Sequence, residues 1–157
     1  MGINIRAKGA EGEREIVRML TAIVVEVMTA LEFPADKIEA AEKSIQRNQN
    51  QSAVGGCDLS NVFGIAIEVK RQEQLAIGAW WQQCVTAANR NNEIPVLMFR
   101  QNRKPWRIRT YGFLHTPAHN GGWSSVQAVV EFNEETFKMW FREWVHAKLL
   151  NGYEVKV

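Results

Sequence analysis

The sequence predicts one domain of the α/β class. Three observations point to it: a long amphipathic stretch near the start, a middle third of β-branched runs broken by turn residues, and a second amphipathic stretch near the end. Residues 10–32 place Ile16, Met19, Leu20, Ile23, Val24, Val27, Met28 and Leu31 at steps of three and four, the period of a helix with one buried stripe. Pro34 breaks that helix, and the weakly apolar segment 35–43 predicts a short second one. Residues 46–56 turn polar and then Gly-rich, which predicts an exposed loop just ahead of a strand.

From Cys57 to Arg71 the text CDLSNVFGIAIEVKR reads as a strand, a tight connection around Ser60, Asn61 and Gly64, and a second strand. Alternation sends Ile65, Ile67 and Val69 to one face of the second strand and Ala66, Glu68 and Lys70 to the other. Residues 74–91 predict a helix with an inner stripe of Leu75, Ile77, Trp81, Cys84, Val85 and Ala88. A buried strand then starts at Pro95, another spans 106–111, a Gly/Ser/Asn loop covers 117–125, and a last strand spans 126–132. Asn133 offers an N-cap, Glu134 and Glu135 suit the first turn, and Phe137, Trp140, Phe141, Trp144, Val145 and Leu149 recur at helical spacing. This strand and helix, at about 126–150, form a C-terminal extension of a single domain spanning 1–157.

Composition agrees and narrows the function classes. With 157 residues, 46% hydrophobic and 23% charged, the chain can bury roughly 70% of its extended surface without staples. Its two cysteines, Cys57 and Cys84, fit no zinc spacing and read as reduced core thiols. The charged opening MGINIRAKGAEGERE lacks the apolar stretch of a signal peptide, so a cytoplasmic protein is expected. Arg18, Glu26 and Glu32 interrupt the most apolar run, which excludes a membrane span there. Nineteen Lys and Arg against seventeen Asp and Glu leave a net charge of +2, too small to name a nucleic-acid partner by itself.

Chemistry concentrates in Asp58, Glu68 and Lys70. Two carboxylates and an amine on adjacent strands supply the hard oxygen ligands that Mg2+ or Mn2+ prefers, with a cation beside them to offset charge developing on a phosphoryl oxygen. An E-x-K triplet alone arises more often as the solvent face of an alternating strand. The Asp ten residues earlier, across a hairpin, and the charged cluster Glu11, Glu13, Arg14 and Glu15 shift the balance, although that cluster also reads as the acidic first turn of a helix.

Gly56-Cys57-Asp58, nine residues, then Glu68-Val69-Lys70 resembles the D…ExK motif of the PD-(D/E)XK nuclease superfamily, with Cys57 where a proline often stands. The segment Lys8-Gly9-Ala10-Glu11-Gly12-Glu13-Arg14-Glu15 resembles the opening of the archaeal-type Holliday junction resolvases, and Ile94-Pro95-Val96-Leu97 followed by Lys104-Pro105-Trp106-Arg107 is similar to later strands of that family. The resemblance covers roughly residues 6–110. It implies a three-layer fold with a central mixed sheet flanked by helices, a homodimer, and divalent-metal hydrolysis of phosphodiesters at four-way DNA junctions.

Carried over by position, Glu13, Asp58, Glu68 and Lys70 are the catalytic set. Asp58, Glu68, Glu13 and the Val69 backbone carbonyl hold Mg2+, with Mn2+ able to substitute, and Lys8, Arg14, Arg47, Ser52 and Arg71 contact DNA. The family's usual Arg-Ser pair is replaced by Gln51-Ser52, with Arg47 as the nearest arginine. A restriction- or repair-type nuclease and a non-catalytic DNA-binding relative stay open as alternatives, and a phage origin fits the small size.

Arg100, Arg103, Lys104, Arg107 and Arg109 read equally as a phosphate-tracking surface or as solvated strand edges. His115, His119 and His146 read as surface residues. Trp80, set beside Trp81 on another side of its helix, and Trp140, Phe141 and Trp144 predict aromatic surface for the homodimer interface.

Overall fold

The computed structural model describes residues 4–49 and 57–156. Helix α1 (Ile5–Ala30) opens earlier than its apolar stripe, because the Asn4 side chain accepts a hydrogen bond from the Ala7 N–H at 3.2 Å. Glu11, Glu13 and Glu15 therefore lie beyond the first turn, which holds no acidic residue. The reading of this cluster as a dipole-favoured first turn is thereby corrected.

After α2 (Ala35–Glu42) come β1 (Gln46–Arg47), β2 (Leu59–Ser60), β3 (Ile65–Arg71), α3 (Ile77–Asn91), β4 (Ile94–Arg100), β5 (Arg107–Pro117), β6 (Trp123–Asn133) and α4 (Glu134–Leu150). The strand expected from Cys57 onward is only the two residues of β2. Left-handed backbone at Asn61, Phe63 and Gly64 ends it, and the Ile65 N–H closes the turn on the Val62 carbonyl at 2.9 Å. β2 pairs antiparallel with β1, which lies in what reads as loop.

The main sheet runs β3-β4-β5-β6, with β3 and β4 parallel and the remaining pairs antiparallel. Ile65, Ile67 and Val69 join the main core with the stripe of α1 and with Phe137, Phe141 and Val145 of α4. On the opposite face Ala66 meets Ala87 and Ala88 of α3, and Leu97 and Phe99 meet Trp80 and Cys84. Helices cover both faces of a mixed sheet, so the predicted three layers are present, with β3 at one sheet edge and β6 at the other.

The aromatic expectations divide: Trp80 needs correction, whereas Trp140, Phe141 and Trp144 follow the apolar stripe read for the last helix. Trp80 points inward at 7% exposure, on the stripe Trp80, Cys84, Ala87 and Ala88, whereas Trp81 sits at the margin against Tyr111. Trp80 is thus a core residue and no interface anchor. Phe141 is fully buried, and Trp140 and Trp144 pack against the main core. The Trp144 indole N–H donates to the Phe63 carbonyl at 2.9 Å, and the Phe63 ring stacks on Tyr153 at 4.5 Å.

Strands β5 and β6 are longer than predicted. They pair over eleven residues each, from Arg107 opposite Asn133 to Pro117 opposite Trp123, and Gly121 and Gly122 take positive φ in the turn. His115, beyond the predicted strand 106–111, lies in β5, and all three histidines are exposed as read.

Candidate active site

Among the described residues β3 has no strand partner on its outer side, and the site forms there. There the chain after Cys57 runs beside β3: the Asp58 N–H donates to the Ile67 carbonyl at 3.2 Å, and the Asp58 carboxylate accepts from the Val69 N–H at 2.6 Å. Asp58 thus replaces a neighbouring strand at this point and is held against the ExK triplet by main-chain bonds. In an extended strand a residue's N–H and C=O point to the same side, so the Val69 carbonyl faces this edge as well.

Glu68 and Lys70 lie on the α3 side of β3, and the pair is not a solvent face. Glu68 is 2% exposed, and its carboxylate meets the Lys70 ammonium at 2.9 Å. Burying ionised carboxylates is unfavourable unless something charged answers them. Burial, followed by the charge of Glu68, pushes the Asp58 carboxyl up to about 7, against the opposing pull of the Val69 N–H and Lys70. Burial also raises Glu68, although Lys70 pulls it the other way, and Glu13 adds to the negative potential at both.

Glu13 reaches this group from α1, and its carboxylate accepts from the Arg47 Nε–H at 2.5 Å. The helix turns its three acids to different duties. Glu11 is solvent-facing and pairs with Arg14 and Arg18, while Glu15 accepts from the Trp106 indole N–H at 3.0 Å and from Arg100 at 3.1 Å. Among the three, only Glu13 contributes to the field at Asp58 and Glu68. Gly12 lets α1 come this close, since a Cβ there would lie 3.2 Å from the Arg71 Cβ and 3.6 Å from the Trp106 ring.

Each carboxylate thus rests on its own donor: Asp58 on a backbone N–H, Glu68 on Lys70, Glu13 on Arg47. Among the described residues no three acidic, histidine or cysteine side chains converge as a ready-made metal cage. The donor set nevertheless fits a hard divalent ion, because two buried, mutually repelling carboxylates and a strand-edge carbonyl are what such an ion neutralises.

The expected DNA contacts divide. Lys8 is bound to Glu73 at 2.7 Å, Arg14 is exposed beside Glu11, and Arg71 reaches Asn102 at 3.3 Å while its Nε has no partner. Arg47, expected to touch DNA, is paired with Glu13, and nothing in its sequence neighbourhood signals that pairing. Ser52 and Gln51 lie outside the described residues. Of the five basic residues at 100–109, Arg100 is tied to Glu15, and Arg107 and Arg109 both grip Glu131. Sequence reasoning missed the Glu15 clamp on Trp106 and Arg100, whose clue is that Trp106 alternates inward after Pro105.

Cys57 and Cys84 are free and buried, and burial pushes both thiols up to about 12, as inert core residues require. No helix among the described residues is long and apolar enough to cross a membrane.

No curated protein or solved structure matches the chain. A family model described as "Phage putative PDDEXK endonuclease" matches residues 4–144, past the point near residue 110 where the motif resemblance stops and through most of α4. That match spans well over half of the chain, which therefore belongs to this phage PD-(D/E)XK endonuclease family.

Proposed function

We propose that the protein is a divalent-metal-dependent endodeoxyribonuclease that cuts branched DNA, four-way junctions in particular, as a homodimer in the host cytoplasm. The observation that carries the nuclease reading is Asp58 locked to the Val69 N–H beside the buried Glu68–Lys70 pair. Asp58, Glu68, the Val69 carbonyl and Glu13 would hold Mg2+, or Mn2+ in its place. When bound, the ion lowers the pKa of a water and neutralises charge on the phosphate.

The chain's own groups do the rest. Lys70, already at the carboxylate, offers a donor that can move to a phosphate oxygen or hold the attacking water, stabilising charge as it develops. Asp58 stays oriented by the Val69 N–H throughout. Arg47, which holds Glu13, would add a guanidinium donor for a phosphate oxygen beside the site. The choice of four-way junctions is supported by the resemblance of residues 8–15 to the opening of the resolvases.

A cleavage assay tests both levels. Purified protein is given a four-way junction, a linear duplex and a single strand, with Mg2+, with Mn2+ and with EDTA. Paired incision of the junction with the metals alone is expected. Equal cutting of linear duplex would place the protein among restriction- or repair-type nucleases, and metal-independent or absent cutting would overturn the metal assignment.

A further inference from the structure

Strands β5 and β6 carry a surface that the nuclease chemistry does not use. β4 pairs with β5 only at 96–99 opposite 107–110, whereas β5 and β6 continue together to Pro117 and Trp123. Residues 111–117 and 123–129 therefore leave the sheet as a two-stranded ribbon. An isolated ribbon is marginally stable in water, so one of this length calls for cover.

Its composition says what kind. From 110 to 130 there is no Lys, Arg, Asp or Glu in a chain that is 23% charged, where about five would be expected. Such a segment offers nothing to a phosphate backbone, whose binding rests on cations. Its apolar side chains stand out on both faces. Tyr111, Phe113, Val129 and Trp123 continue one face from Trp81, Leu114 and Val126 sit opposite each other on the other, and Phe113 and Trp123 are 68% and 76% exposed.

β6 is moreover an open edge. Its eleven-residue register has no interruption, and it contains no Pro and no Lys, the devices by which natural edge strands avoid pairing.

We infer that β6 pairs antiparallel with β6 of a second copy of this chain, joining two four-stranded sheets across a two-fold axis. The strand is complementary to itself. A register centred on Gln127 sets Val126 opposite Ala128, Ser125 opposite Val129, Ser124 opposite Val130 and Trp123 opposite Glu131, so no like charges meet. Glu131 is already neutralised by Arg107 and Arg109.

Pairing at this edge would turn the two-stranded ribbon into a four-stranded sheet, satisfy the outward N–H and C=O groups of β6 and set Trp123, Val126 and Val129 beside side chains of the partner strand. This places the dimer contact on the ribbon rather than on α3 or α4, and it does not depend on the nuclease assignment.

The test reads mass and covalent linkage, so it is indifferent to activity. Full-length protein at low micromolar concentration should sediment as a dimer, and Val126→Lys should weaken dimerisation at least tenfold while its far-UV spectrum and melting remain those of a folded chain. Gln127→Cys should give a disulfide-linked dimer under mild oxidation, while Met139→Cys, exposed on α4, should not. Cys57 and Cys84 are buried and do not interfere. A monomeric wild type, or a dimer unaffected by Val126→Lys and not linked through Gln127→Cys, would overturn the inference. A ribbon that instead binds a different protein or a lipid surface would appear as the monomer.

Discussion

Asp58→Asn should abolish cleavage and yet make the metal-free protein more stable. In the folded chain the Asp58 carboxyl ionises at about 7, against an ordinary 3.8, because burial and then the neighbouring Glu68 disfavour its charge. Above pH 7 the folded state must carry that charge, and the unfolded state carries it in water. At about 1.36 kcal/mol per pH unit, the difference corresponds to about 4 kcal/mol of stability forgone.

The sign follows from proton binding. A group whose folded pKa is raised binds its proton more tightly in the native state, so its penalty is full above about pH 7, shrinks as pH falls, and vanishes near pH 4. Asn keeps an oxygen for the Val69 N–H and presents an amide to Glu68, so most of the gain should be realised. The variant should be stabilised by about 2–4 kcal/mol at pH 8, or roughly 5–12 °C in melting temperature for a chain of this size.

Thermal melts at pH 8 and pH 5, each in EDTA and in Mg2+, check this. The gap between variant and wild type should narrow at pH 5, and Mg2+ should raise the wild type alone, since only it gains a ligand-linked contribution. A variant no more stable than wild type at pH 8 would refute the reading of Asp58 as a buried charge awaiting a cation.

Further outcomes are expected around the same site. Lys70→Ala should reduce single-turnover cleavage of the junction by about 10²–10³ while leaving Mn2+ binding measurable by titration calorimetry, because it removes a donor and no ligand. Glu13→Gln should be severely impaired in the same assay, with Glu11→Gln close to wild type and Glu15→Gln mild, since Gln can still accept from Trp106; equal activity of all three would reduce Glu13 to a packing residue. Gly12→Ala should lower cleavage and stability together, by about 1–2 kcal/mol in denaturant melts, because its methyl forces Arg71 or α1 to give way. Mn2+ affinity of the wild type should fall as pH drops below about 7, where the Asp58 proton competes with the ion, and a flat profile from pH 8 to 6 would count against Asp58 as a ligand.

What was legible in the sequence follows from how local each signal is. The stripe of α1, the alternation of β3 and the N-cap of α4 depend on neighbours a few residues away, and the observed elements match them. Asp58 and Glu68 were legible because a strand edge and a short turn bring them together within eleven residues. Trp80 and Trp81 exchange places relative to the sequence pattern because adjacent helical residues point about 100° apart and a stripe broken by small alanines leaves the phase ambiguous. The pairing of Arg47 with Glu13 joins residues 34 apart through β1, a two-residue strand that no local pattern marks. The ribbon extends past the strands that the sequence predicts because exposed β5 and β6 carry apolar residues on both faces, so alternation, the usual mark of a strand, is absent there.

The bond from Trp144 to the Phe63 carbonyl and the stacking of Tyr153 on Phe63 also tie the turn ahead of β3 to residues far along the chain. Phe63 shapes the turn that launches β3, and its cover arrives eighty to ninety residues later in the chain. Closing such distant contacts is slow and comes late in folding, after local helices have formed. On a ribosome, α1, Asp58 and Phe63 emerge before Trp144 and Tyr153, the residues that cover Phe63.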